Sequence, residues 1–237
     1  MGETIELWRL VAISTLLLWD IDGTLISGRG AGRRAMNKAF QQLYGVSDAF
    51  DLVEDMAGGL DYAFIKAVFA KHQAKAPRID TFLEAYFQTL EAEVAEGRTE
   101  LLPGVLDILE RGVRERSVFH SLGTGNVEGG ARIKLQVFDL NRFFPVGGFS
   151  ESEAERHLVL QKGVRLAEEY YRVAFAQRDV IVIGDTTRDI DAARRIGARV
   201  IAVATGGSSA DELYKAEPDL LLRDLRDADA FFSFVQG

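Results

Sequence analysis

The sequence predicts a doubly wound α/β fold: a parallel sheet covered by helices on both faces, with a second, smaller helical domain set into it. Three observations predict it. From about residue 99 onward, short apolar runs rich in β-branched residues alternate with helical periodicities, the order that builds a parallel sheet. Three apolar runs stop abruptly at polar clusters: Asp20-Ile21-Asp22-Gly23-Thr24, Gly123-Thr124-Gly125-Asn126 and Gly184-Asp185-Thr186-Thr187-Arg188-Asp189. Open parallel sheets bind their ligands outside the carboxyl ends of the strands, so these clusters are expected at one edge. Between residues 28 and 98 only helical spacings occur, and that stretch reads as an insertion.

Composition bounds the function classes. The 237 residues suit one large or two small domains with a proper core. With 47% apolar and 27% charged residues the chain is an ordinary globular one. Its formal net charge of -8 argues against nucleic acid as a partner, because phosphate backbones attract basic surfaces. The absence of cysteine excludes disulfides and thiolate metal sites. The apolar segment 10–19 is broken by Ser14 and Thr15, is too short to span a bilayer and runs straight into two aspartates. A core strand is expected there, with no membrane association and a cytoplasmic location.

Residues 1–12 admit a frayed helix or an extra edge strand. After the strand ending at Trp19, Ser27-Gly28-Arg29-Gly30-Ala31-Gly32 has a hinge composition. Amphipathic spacing predicts helices over 33–44, 61–72 and 80–96, carried by Ala35, Met36, Ala39, Phe40 and Leu43, by Phe64, Ile65, Val68 and Phe69, and by Phe82, Leu83, Tyr86, Phe87, Leu90 and Val94. Pro103 suits a helix start, and a helix follows over 105–115. Then come a strand at 117–122, a helix at 127–138, a helix beginning at Arg156, a strand at 179–183 and a helix stopped by Gly197. A strand at 199–203, a short helix at 210–216, a strand at 218–222 and a helix at 225–235 complete the chain. The domain reading is a core of 1–26 and 99–237 with a helical domain at 27–98.

The motifs carry the chemistry. Two carboxylates crowded at one strand end titrate apart, which lets one act as a nucleophile while the other holds a proton. Asp20-Ile21-Asp22-Gly23-Thr24-Leu25 resembles the first motif of the haloacid dehalogenase superfamily of phosphotransferases. The resemblance implies a Rossmann-like core, with Asp20 as the nucleophile that forms an aspartyl-phosphate and Asp22 as general acid and base. It extends to Thr124-Gly125-Asn126, similar to the second motif, where a hydroxyl and backbone amides cradle a phosphoryl oxygen. Ser121 stands close enough in sequence to compete with Thr124 for that role, and Thr124 fits the pattern better. Gly184-Asp185 with Asp189 resembles the fourth motif, which implies Mg²⁺ held by Asp20, Asp185, Asp189 and the backbone carbonyl of Asp22. The third motif, usually a Lys before a Pro, has no such pair in this chain. Arg156 is the expected cation there and Lys162 its reserve, while His157 reads as a surface residue or one packed behind the site, and not as a catalytic base.

In the inserted helices, Gly58-Gly59 ahead of Asp61 reads either as a turn with Asp61 capping the next helix or as a substrate-binding loop facing the aspartates. Arg33 and Arg34 read either as cations reaching an anionic substrate tail or as an exposed helix face. The resemblance, strongest to phosphoglycolate phosphatase-like members, implies a Mg²⁺-dependent phosphatase acting on a small phosphorylated metabolite, as a monomer or homodimer. The alternatives are a phosphomutase of the β-phosphoglucomutase type and a phosphate-binding regulatory module without turnover.

Overall fold

Apolar alternation inside the strands sets the layers of the molecule. The structure, a computed structural model, describes residues 14–51, 58–72, 78–153 and 155–237. Strand β1 (Thr15–Trp19) is buried at every position. Its side chains alternate between two separate cores: Leu17 and Trp19 face one, Leu16 and Leu18 the other. A strand buried on both faces is the mark of a parallel sheet sandwiched by helices.

That sheet has six strands in the order β5-β4-β1-β6-β7-β8, all paired in parallel. The other members are β4 (Val118–Gly123), β5 (Gly147–Gly148), β6 (Val180–Gly184), β7 (Arg199–Val203) and β8 (Leu220–Leu222). Two further strands, β2 (Ile26–Ser27) and β3 (Glu100–Leu101), pair antiparallel where the chain leaves and re-enters the sheet unit. The helices that follow β3 are α4 (Val105–Arg114), α5 (Glu128–Gln136), α6 (Arg156–Tyr171), α7 (Thr187–Arg195), α8 (Ala210–Lys215) and α9 (Ala228–Gln236). The doubly wound α/β class read from the sequence is therefore the observed one.

Between β2 and β3 lie α1 (Ala31–Tyr44), α2 (Asp61–Lys71) and α3 (Ile79–Ala95). They close a third apolar cluster of their own around Phe40, Phe50, Phe69 and Phe82, to which the core contributes Val127. No helix among the described residues is long and apolar enough to cross a membrane.

Some expectations shift. The first helix starts at Ala31 instead of 33, with Gly30 in the left-handed region (φ 78°) turning the chain into it. The short strands β2, β3 and β5 have no signal in the apolar pattern. β5 consists of two glycines, and a Cβ at Gly148 would overlap the Val159 carbonyl of α6, so here a helix packs directly on strand backbone. The readings of residues 1–12, the start of the first strand at 10–13 and Ala57 lie outside the described residues.

Candidate active site

The site begins where β1 ends. Asp20 still belongs to the ladder, donating its N–H to the Ile183 carbonyl at 2.9 Å. The chain then folds back on itself, and the Ile21 carbonyl accepts from the amides of Leu25 (2.9 Å) and Ile26 (3.0 Å). Gly23 sits in that turn at φ 84°, against the Asp185 carboxylate, where both the dihedral and the close approach exclude a side chain. The turn leaves Asp20 buried and Asp22 half-buried, facing a cavity of about 450 Å³.

Asp185, at the end of β6, and Asp189, in the first turn of α7, complete an acidic cluster with Asp20. One carboxylate oxygen from each of the three lies within 4.8 Å of the other two, and all three residues are buried. Asp185 accepts from the Thr24 hydroxyl (3.1 Å) and from the Gly207 N–H (2.5 Å). Asp189 closes a capping box with Thr186, accepting from its amide (3.1 Å) and hydroxyl (2.7 Å).

Arg156, the first residue of α6, lies between the carboxylates. Its Nε and Nη2 reach Asp189 at 2.8 and 2.6 Å, and Nη2 reaches Asp20 at 3.0 Å. Burial pushes the Asp20 carboxyl up to about 6; Arg156 opposes this, while the charges of Asp189 and Asp22 add to it. Asp185 is driven well above the usual carboxylate range, by burial first and then by Asp20 and Asp189. One guanidinium thus leaves excess negative charge in a desolvated place. Three hard oxygen donors under mutual repulsion suit a divalent cation.

Lys162, the alternative cation, points elsewhere and pairs with Glu151 at 2.5 Å and Glu153 at 3.5 Å. Ser121 is also away from the site, its hydroxyl donating to the Val146 carbonyl at 3.2 Å inside the sheet. Thr124, after β4, is fully buried beside Asp20, whose charged form it favours, and its hydroxyl accepts from the Asn126 side chain at 2.9 Å.

The Gly58–Gly59 turn lies against this edge. Arg156 Nη1 donates to the Gly58 carbonyl at 3.2 Å, and the Gly59 carbonyl touches the Cα of Gly125 so closely that a Cβ there would overlap it. The Asp61 amide donates to the Gly125 carbonyl (2.8 Å) and the Tyr62 amide to the Ser150 hydroxyl (3.1 Å). Asp61 does not cap its own helix, whose N-cap is Leu60. Its carboxylate accepts from the Val127 N–H at 3.2 Å and caps α5 of the sheet unit instead. The correction has a simple cause: as the first residue of α2, Asp61 projects toward α5, whose unpaired amides lie across the gap. Burial raises the Asp61 carboxyl to about 6, against the pull of Lys134.

Of the two arginines read at the start of the helical insertion, Arg34 is spent on Glu93 (2.7 Å) and Arg33 lines the cavity. Sequence reasoning missed Lys134, whose ammonium donates to Asp22 Oδ2 at 2.5 Å and Asn126 Oδ1 at 2.6 Å. The signal was available: Lys134 falls on the same helical face as Val127, Ala131 and Leu135, so a lysine stands where an apolar residue is due.

Comparisons with known proteins agree with this geometry. A family model described as haloacid dehalogenase-like hydrolase matches residues 17–203. The phosphoglycolate phosphatase of Synechococcus elongatus is 25% identical over 209 residues, which cover 87% of this chain and 91% of that protein. Among solved structures, CbbY from Rhodobacter sphaeroides in complex with phosphate superposes with a TM-score of 0.69 at 23% identity, over 90% of this chain and 96% of that one. A hydrolase from Pseudomonas syringae does so with a TM-score of 0.67 at 20% identity, over 94% and 99%. These structural likenesses concern the fold. The family match runs from within β1 to the end of β7 and takes in every strand end that carries a clustered carboxylate, so this chain belongs to the haloacid dehalogenase-like hydrolase family.

Proposed function

We propose that this chain is a Mg²⁺-dependent phosphatase that hydrolyses a small phosphomonoester, of the phosphoglycolate phosphatase type, through an aspartyl-phosphate on Asp20. The observation that carries the reading is the setting of Asp20: a buried carboxylate at a strand end, paired with Arg156 and clustered with Asp185 and Asp189.

In the first step a carboxylate oxygen of Asp20 attacks phosphorus, the bond from phosphorus to the substrate oxygen breaks, and Asp22 gives its proton to that oxygen. In the second, Asp22 takes a proton from water as the water attacks phosphorus, which releases inorganic phosphate and regenerates the Asp20 carboxylate. Thr124 and the amides of Gly125 and Asn126 hold phosphoryl oxygens, and Arg156 offsets their charge. Asp20, Asp185 and Asp189, with the Asp22 carbonyl, hold the Mg²⁺, which when bound supplies a positive charge for the phosphoryl oxygens. The helical unit at 27–98 is the cap, and its Gly58–Gly59 turn shields the site from water. The name of the Synechococcus relative supports a small phosphorylated carboxylic acid as the substrate.

The test is phosphate release across a panel of small phosphomonoesters in Mg²⁺, with wild type beside Asp20→Asn. Turnover is expected to vanish in the variant and on adding chelator. Undiminished release by Asp20→Asn, or none from any panel member by folded wild type, overturns the proposal.

A further inference from the structure

We infer that Lys134 is a positioning residue for Asp22, holding one oxygen of its carboxylate so that the other faces the leaving group. The inference rests on the acid/base role proposed for Asp22.

Lys134 is a lysine in the interior, its side chain 6% exposed, whereas the Asp22 side chain it binds is 42% exposed to the cavity. Burying an ammonium is costly unless it is paired and hydrogen-bonded, so the pairing has to be made well. Lys134 gives one N–H to Asp22 Oδ2 and another to Asn126 Oδ1. Asn126 in turn donates from Nδ2 to the same Asp22 Oδ2 at 2.9 Å and to Thr124 at 2.9 Å. Two donors therefore converge on Oδ2, and a proton cannot share that side of the carboxyl with them. Asp22 Oδ1 lies toward Gly28 at the cavity wall and accepts no hydrogen bond from the described residues, so it is the oxygen that can carry and deliver a proton.

The remaining charged groups facing Lys134 are Asp61, from the first turn of α2, and Asp20. Together with Asp22 they outweigh the effect of burial and keep the lysine charged. Lys134 accordingly acts through Asp22 and does not itself meet the phosphoryl group.

This assignment predicts a dependence on the leaving group. Protonation matters for an alkoxide leaving group and little for p-nitrophenolate, which departs without a proton. The measurement is kcat/KM, which covers formation of the aspartyl-phosphate, for ethyl phosphate or phosphoglycolate against p-nitrophenyl phosphate, on Mg²⁺-loaded wild type, Lys134→Met and Lys134→Gln. Both variants are expected to lose about 30-fold on the alkyl phosphates and no more than about 3-fold on the aryl phosphate. In an Asp22→Ala background the same substitutions are expected to add no further selectivity. Equal losses on both substrate classes, or no loss on either, overturn the inference. Should Lys134→Met fail to fold, Lys134→Gln keeps a hydrogen-bonding side chain in the same place. Failure of wild type to turn over any of these phosphates overturns the phosphatase reading itself, which keeps the two failures apart.

Discussion

At Gly125 the helical unit packs directly on sheet-unit backbone, and replacing it with alanine tests whether that contact serves turnover. The added methyl would occupy the space of the Gly59 carbonyl oxygen and stand 3.0 Å from Arg156 Nη1. Ordinary carbon–oxygen contact requires the carbonyl to withdraw by more than about 1 Å. Gly125 is not in the left-handed region, so alanine adds no backbone strain of its own and the turn at 58–59 is the part that yields. Withdrawal breaks the Asp61 amide bond to Gly125, the Arg156 bond to the Gly58 carbonyl and the Asp61 cap on Val127. At a net ~0.5–1.5 kcal/mol for each of the three bonds, the docking of the turn weakens by about 1.5–4.5 kcal/mol. At ~1.4 kcal/mol per tenfold, that is roughly 10- to 2000-fold in the docking equilibrium. The assay is kcat/KM with a small alkyl phosphate beside hydrogen exchange at the Asp61 amide. Gly125→Ala is expected to lower the first by at least about 10-fold and to speed the second by a similar factor, while the sheet keeps its protection. Wild-type exchange at Asp61 would refute the contact argument. Fast exchange with wild-type turnover would refute the link between docking and catalysis.

Two further perturbations follow from the charges of the site. Asp61 has its carboxyl raised from 3.8 to about 6, so folding favours its neutral form; that stability is fully present below pH 3.8 and is lost as pH rises through 6. Asp61→Asn, which keeps an oxygen for the Val127 amide, is expected to be more stable than wild type at pH 8 by at most about 3 kcal/mol, with the advantage fading toward pH 4. Urea denaturation at the two pH values checks this, and a larger advantage at pH 4 refutes it. Mg²⁺ at 100 times its dissociation constant is expected to stabilise the fold by about 2.7 kcal/mol, raising Tm by roughly 5–10 °C. The rise should be lost in Asp185→Ala, and a rise that persists there would place the cation elsewhere.

Most of the architecture was legible because strand and helix patterns record which side of each segment is buried. Strands β1, β6 and β7 announce themselves by apolar residues on both faces, and the first three helices by their apolar stripes. The polar residues that end β1, β4 and β6 were legible for the same reason, since a carboxylate or hydroxyl stopping an apolar run stands out against it. What stayed hidden has little side chain to read or depends on a distant partner. β5 is two glycines whose partners are β4 and the backbone of α6.

Charges were the least readable part. Nothing in the sequence separates Arg33 from Arg34, yet the buried Glu93 of α3, 59 positions away, takes Arg34 and leaves Arg33 at the cavity. Arg156 was the expected cation with Lys162 in reserve, and the path of α6 past Asp20 and Asp189 brings the arginine to both carboxylates while Lys162 turns to Glu151. Asp61 looked like a cap for its own helix and serves another one, and Lys134, which went unread in the sequence, lies beneath the site. By itself, then, the sequence determined the α/β order, the inserted helices and the strand ends at which chemistry gathers. The pairing of charges was decided by tertiary structure alone, because a salt bridge or a cap is made between groups that the folded chain brings together, and local periodicity carries no record of that meeting.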